Sequence, residues 1–127
     1  VQALQALHSG NPTRPEWRLE ALRLLREHRE WMRVEWRDTA LGSLEAADTP
    51  YRAPPFARLG RANAHGDVAL ACANARRASG PAYSKSYFVP QLDGLGIEVM
   101  ELCLPLVNGG RLTGYAVATY SLSEILA

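Results

Sequence analysis

The sequence predicts an α+β domain: a central antiparallel sheet of about five strands, an N-terminal helix on one face, and loops plus a short helix on the other. Three observations carry this. Trp17, Ala21, Leu24, Leu25 and His28 repeat at helical spacing. The period then changes to alternation through Met32, Val34, Trp36 and Asp38, with Arg33, Glu35 and Arg37 between them. Finally, two long β-prone segments flank Asn108-Gly109, the strongest short-range hairpin signal in the chain.

Residues 1–8 form an apolar helical pattern with Leu4 and Leu7 three apart, interrupted by Gly10, Asn11, Pro12 and Pro15. Thr13 suits an N-cap, with Pro15 and Glu16 in the first turn behind it. The helix that follows should run for about three to four turns, with an Arg/Glu face opposite its apolar stripe. Residues 32–38 read as a strand and 41–47 as its hairpin partner, with Thr39 and Gly42 near the turn. Pro50, Pro54 and Pro55 mark residues 48–61 as a surface loop. Asp67 is the expected N-cap of a short helix to Arg77, ended by Ser79, Gly80 and Pro81. Residues 83–89, 97–107 and 112–120 complete a three-strand meander, with Pro90 closing the first strand.

At 127 residues the chain is the size of one domain, spanning 1–127. A hydrophobic fraction of 47% with 21% charged residues excludes a disordered chain. The net charge is +1, and the arginines are interleaved with glutamates, so no basic stripe for nucleic acid is present. No apolar run reaches the roughly 18 residues that a membrane span needs. The chain begins at Val1 without Met and stops inside an apolar stretch, 121–127, and is read as a piece excised from a longer protein. Cys72 and Cys103 are open to two readings, a bridge in an oxidising compartment or two thiols buried separately.

Tyr83-Ser84-Lys85-Ser86-Tyr87-Phe88, Leu104-Pro105-Leu106-Val107 and Gly114-Tyr115-Ala116-Val117 follow one another in the last third, ahead of Tyr120-Ser121-Leu122 and Ile125-Leu126. With the leading helix, the Trp36-Arg37-Asp38 strand and the Pro-rich loop, this layout resembles the PAS-like extracytoplasmic sensors. These are the PDC or single-Cache domains of bacterial sensor histidine kinases and related membrane receptors. The resemblance implies a PAS-like fold in the periplasm, anchored only by flanking membrane helices and homodimeric in the full-length receptor. It also implies a small-molecule ligand (organic acid, amino acid or amine) and no cofactor. Leu122, Ile125 and Leu126 sit at helical spacing where such domains hand over to a membrane helix.

Alternation sorts the side chains of residues 97–107. Met100, Leu102, Leu104 and Leu106 should face the helix-covered core, and Val99, Glu101 and Cys103 the other side. If loop and short helix cover that side, Glu101 needs a cationic partner or a ligand; if they do not, it is solvated. Tyr83, Lys85 and Tyr87 are expected on one strand face. Organic-acid sensors of the resembled class bind the ligand carboxylate with the Arg of an R-x-Y-F segment, and its first position corresponds to Lys85, which lacks the bidentate fork. Their last-strand Lys corresponds to Thr119, and both departures weaken a dicarboxylate assignment. Tyr115 and Thr119 complete the candidate ligand-binding set of Tyr83, Lys85, Tyr87, Glu101, Cys103, Tyr115 and Thr119. Lys85 reads equally as an ordinary exposed lysine, and Trp36 reads as core.

His8, His28 and His65 are isolated in sequence, and no metal-ligand spacing, phosphate loop or nucleophile elbow is present. Glu98 and Glu101 fall on opposite strand faces and cannot form a catalytic pair. Nothing in the sequence argues for an enzyme. The expectation is a ligand-sensing domain; its rival is the same fold without a metabolite, serving as a dimerisation spacer or as a docking site for a periplasmic partner.

Overall fold

The computed structural model describes residues 1–126; Ala127, the end of the expected domain, lies outside the described residues. Two helices, α1 (Gln2–Leu7) and α2 (Arg14–Glu27), precede the strand pair β1 (Trp31–Arg37) and β2 (Ser43–Asp48). A covering segment with a 3-10 turn at Arg61–Ala64 leads into α3 (Gly66–Ala78). The short strands β3 (Ala82–Tyr83) and β4 (Tyr87–Pro90), the long strands β5 (Gly96–Asn108) and β6 (Arg111–Ser121), and α4 (Leu122–Leu126) complete the chain. The sheet is antiparallel with order β2-β1-β6-β5-β3, and β4 pairs with the same edge of β5. It therefore has six strands rather than about five. Among the described residues no helix is long and apolar enough to cross a membrane.

The expected capping of α2 is present in full. Thr13 Oγ1 accepts from the Glu16 amide at 3.3 Å, and Glu16 Oε1 accepts from the Thr13 amide at 2.9 Å. Trp17, Ala21, Leu24 and Leu25 then bury the apolar stripe against Leu102, Leu104, Ala116 and Ala118, as alternation in β5 predicts, with Leu4 and Leu7 of α1 completing this core. Each large side chain buried there contributes roughly 1.5–3 kcal/mol. The small residues Ala116 and Ala118 let the helices lie close to the sheet centre. His8 sits at the same seam, its Nε2 accepting from Trp17 Nε1 at 3.1 Å, while Trp36 packs edge-on against its ring.

The opposite face carries two apolar clusters. Val68, Ala71, Cys72 and Ala75 of α3 pack on Cys103, Tyr115 and Val117. Phe56 of the covering segment packs on Val89 and Val99. A disulfide between Cys72 and Cys103, with Cα atoms 5.1 Å apart, ties α3 to β5 and settles the cysteine alternatives. Gly114 brings β6 close to β1: a Cβ there would stand 2.3 Å from the Arg37 carbonyl oxygen.

Two expectations are corrected. Asp67 is not the N-cap of α3; His65 holds that position without a side-chain cap, and Asp67 lies inside the first turn. Residues 83–89 are not one strand. They split into β3 and β4 around residues 84–86, where the Ser84 hydroxyl takes over a ladder position by accepting from the Glu101 amide at 2.9 Å. The interruption breaks the alternation, so Tyr83, Lys85 and Tyr87 do not share a face. Tyr83 turns towards Tyr120 on the helix side, Lys85 is exposed, and Tyr87 points to Glu101 on the opposite side.

Candidate functional site

The strand register lays a polar row across the sheet between the two apolar clusters. Glu101 of β5 pairs with Thr119 of β6, Thr119 with Arg33 of β1, and Arg33 with Asp48 of β2. Glu35 and Arg37 follow on the same face of β1. Glu35 is 1% exposed and Glu101 is 0% exposed, so both carboxylates are out of water. Buried charges at these positions must be matched by charge and hydrogen bonds.

The match comes from the covering segment. Arg61, on the 3-10 turn, places its guanidinium between the two carboxylates. Its Nε donates to Glu35 Oε2 at 3.0 Å and its Nη2 to Glu35 Oε1 at 3.3 Å. Nη1 donates to Glu101 Oε2 at 2.7 Å and Nη2 to Glu101 Oε1 at 3.1 Å. The Phe56 ring lies under the guanidinium carbon at 4.3 Å, a cation–π contact in a desolvated setting. On the sheet side, Thr119 Oγ1 donates to Glu101 Oε1 at 2.6 Å and the Tyr87 hydroxyl donates to Glu101 Oε2. Glu35 also accepts from Arg33 Nε at 2.6 Å and Arg37 Nε at 2.8 Å, and Arg33 Nη1 reaches Asp48 at 3.0 Å. Three arginines thus meet three carboxylates, and no buried side-chain polar atom among the described residues lacks a partner.

The electrostatics follow from that packing. Burial alone would raise the Glu35 carboxyl, but the guanidiniums of Arg61 and Arg37 outweigh it and hold the group at about 2. Burial likewise opposes the Arg61 charge, yet Glu101 and Glu35 overcome it and raise its pKa. Burial pushes the Tyr87 hydroxyl well above its ordinary value, and the neighbouring Glu101 carboxylate adds to the shift, so Tyr87 remains a donor. The site is a preorganised cradle for a planar, multiply donating cation, filled by the chain's own side chain.

Of the candidate residues, the structure brings Tyr87, Glu101 and Thr119 together in this cradle. Tyr115 and Cys103 lie on the same sheet face but under α3, and the Cys103 sulfur is taken up in the disulfide, so it offers no thiol. Lys85 stands exposed on the β3–β4 interruption, and Tyr83 lines a cleft of about 470 Å³ with Glu30, Met100 and Ile125 on the helix side. A second cleft, of about 500 Å³, opens beside α1 near His8, Trp36 and Leu106. Sequence reasoning missed Glu35, Arg37 and Arg61. The charge alternation Arg33-Glu35-Arg37 was a usable signal, because it puts an acid between two bases on one strand face. Arg61 carried no local signal beyond the demand of Glu101 for a cation.

No family model matches the sequence, and no curated protein matches it. Solved structures do. The ligand-binding domain of the amino-acid chemoreceptor PctC of Pseudomonas aeruginosa PAO1, in complex with GABA, superposes with a TM-score of 0.59 at 18% identity, over 95% of this chain and 48% of that one. Methyl-accepting chemotaxis protein X superposes with a TM-score of 0.57 at 12% identity, over 98% of this chain and 55% of that one. The chain spans about half the length of the solved structures it matches. These likenesses show the fold, a PAS-like α+β domain built on an open antiparallel sheet.

Proposed function

We propose that the chain is the ligand-sensing extracytoplasmic domain of a bacterial transmembrane receptor, with a histidine kinase the first expectation for its output. It binds a small polar metabolite between the sheet and the covering segment, and it performs no catalysis of its own. The single observation that carries this reading is the buried polar cradle of Glu35, Tyr87, Glu101 and Thr119 on a PAS-like sheet, closed by one segment rather than by the fold's main elements. The disulfide supports an oxidising compartment, which suits a periplasmic location.

The route from site to output is short. Thr119 bonds Glu101, and two residues later β6 passes into α4 through the buried Ser121. A ligand that draws Glu101 towards itself alters the end of β6 and with it the direction of α4. Paired in a homodimer, two such ends would be read by flanking membrane helices as a change between two packings.

The filled state of the cradle favours the rival reading, a spacer or partner-docking domain of the same fold that takes no metabolite. A thermal-shift screen against organic acids, amino acids and amines separates the two. A ligand at one hundred times its dissociation constant stabilises the folded state by about 2.7 kcal/mol, or roughly 10 °C for a domain of this size. A saturable shift from one chemical class, lost in Glu101→Gln, is the expected result. Flat melting curves across all three classes would transfer the assignment to the spacer.

A further inference from the structure

We infer that Arg61 is a tethered occupant of the ligand site, and that the ligand is a small organic cation, a guanidinium or a primary ammonium, that takes its place. The inference deepens the sensor reading above and rests on it. Its starting point is the charge on the two halves of the site. The sheet half carries Glu35, Glu101 and Asp48 against Arg33 and Arg37, one negative charge in excess. The covering half supplies Arg61 and nothing else charged to either buried glutamate.

The two glutamates are not equivalent in this respect. Glu35 keeps Arg33 and Arg37 when Arg61 is withdrawn. Glu101 does not. Its remaining side-chain partners are the hydroxyls of Thr119 and Tyr87, both neutral donors. Those hydroxyls carry no charge, so withdrawing Arg61 leaves the Glu101 carboxylate without a counter-charge. If the covering segment lifts, the vacated space selects for a cation, and an anionic ligand would meet two carboxylates at close range. The acceptors presented, both oxygens of Glu101 and both of Glu35, match a fork of N–H donors spread in one plane.

The covering segment is built to exchange. Over residues 54–64 it is held to the sheet, besides Arg61, mainly by Phe56, with Leu59 and Ala64 at the margin, and by polar bonds to Gln91 just after β4. Within residues 54–64 the backbone bonds are local, Ala57 to Pro54, Gly60 to Phe56 and Asn63 to Gly60, whereas Thr49 before them is tied to Met32 of β1, so residues 54–64 can move as a unit without breaking a strand ladder.

The test measures binding to the wild-type domain and to Arg61→Ala, Phe56→Ala and Glu101→Gln by calorimetry, with circular dichroism as the check on folding. The probes are agmatine, ethylguanidine and putrescine as cations, with succinate and propionate as anions. Wild type should bind at least one cation. Arg61→Ala should bind it about 10- to 100-fold more tightly, because no closed state has to be undone first. Phe56→Ala, which leaves every charge in place, should tighten binding by a smaller factor and serves if Arg61→Ala does not fold. Glu101→Gln should lose at least tenfold in affinity.

Equal affinity in wild type and Arg61→Ala would place the cation elsewhere and overturn the exchange. Cation binding by Arg61→Ala alone, with none to wild type at millimolar concentration, would make Arg61 a structural plug and also overturn it. Saturable binding of succinate or propionate but of no cation would overturn the ligand class while leaving the sensor reading standing. No binding by any probe, together with a blank screen of all three metabolite classes, would remove both.

Discussion

Glu35 is the hub on which three guanidiniums converge, and Glu35→Gln isolates what that convergence contributes. The substitution keeps the shape and removes one negative charge. Arg33 retains Asp48 and Arg61 retains Glu101, but Arg37 loses its carboxylate partner, and among the described residues it has no other. Its side chain is 5% exposed, so water cannot replace the lost counter-charge. Removing one partner of a buried ion pair costs about 3–5 kcal/mol. The held-down acidity gives an independent figure. A shift from the ordinary 4.5 to about 2 corresponds to about 3 kcal/mol, in the same range. For a domain of this size the loss lowers the melting temperature by roughly 10–20 °C. Because the folded-state pKa lies below the unfolded one, the Glu35 contribution is complete above pH 4.5 and is lost as pH falls towards 2. Urea titrations of wild type and Glu35→Gln at pH 7, 4 and 3 should therefore show a gap that narrows with acidity. A gap under about 1 kcal/mol at pH 7, or one that does not change with pH, would refute the hub as described.

Two further perturbations probe the elements around the site. Cys72→Ala/Cys103→Ala releases a cross-link between residues 31 apart and should cost about 3–4 kcal/mol in a urea titration, with α3 the first element to lose amide protection in hydrogen exchange; a loss below about 1 kcal/mol would mean that apolar packing alone docks the helix. His8 is held neutral by burial, its pKa lowered from 6.5 to about 4, so the unfolded chain binds the extra proton between these values and stability falls by up to about 3 kcal/mol as pH drops through that window. His8→Gln, which can still accept from Trp17, should flatten the profile between pH 6.5 and 4, and identical slopes for the two proteins would exclude His8 as the cause.

Most of the fold was legible because its signals are local. The Thr13 N-cap, the helical stripe from Trp17, the alternation of β1 and the β5–β6 hairpin each report on neighbours within a few residues, and all are present. Alternation also sorted β5 correctly, sending Leu102 and Leu104 to the helices and Glu101 and Cys103 to the second face. It failed at residues 84–86, where a serine hydroxyl replaces a backbone ladder partner, a substitution that composition does not announce. That one interruption displaced Lys85 and Tyr83 from the site and left Tyr87 in it.

The site itself was half legible, and the division has a physical cause. Glu101 and Thr119 lie on strands that alternate regularly enough to be assigned a face, so a cationic partner or a ligand for the glutamate could be asked for if that face is covered, whereas Tyr87 follows the interruption at 84–86. The cation that answers it comes from a stretch with no periodicity, 26 residues from Glu35 and 40 from Glu101. No local rule favours Arg61 over Arg52 or Arg58 on the same segment. What selects it is the closure of the segment, set by Phe56 finding Val89 and Val99 while the 3-10 turn aims the side chain inward. A partner chosen by loop closure is also one that loop opening can withdraw, so the feature that hid Arg61 from sequence reading is the one that suits it to exchange with a ligand.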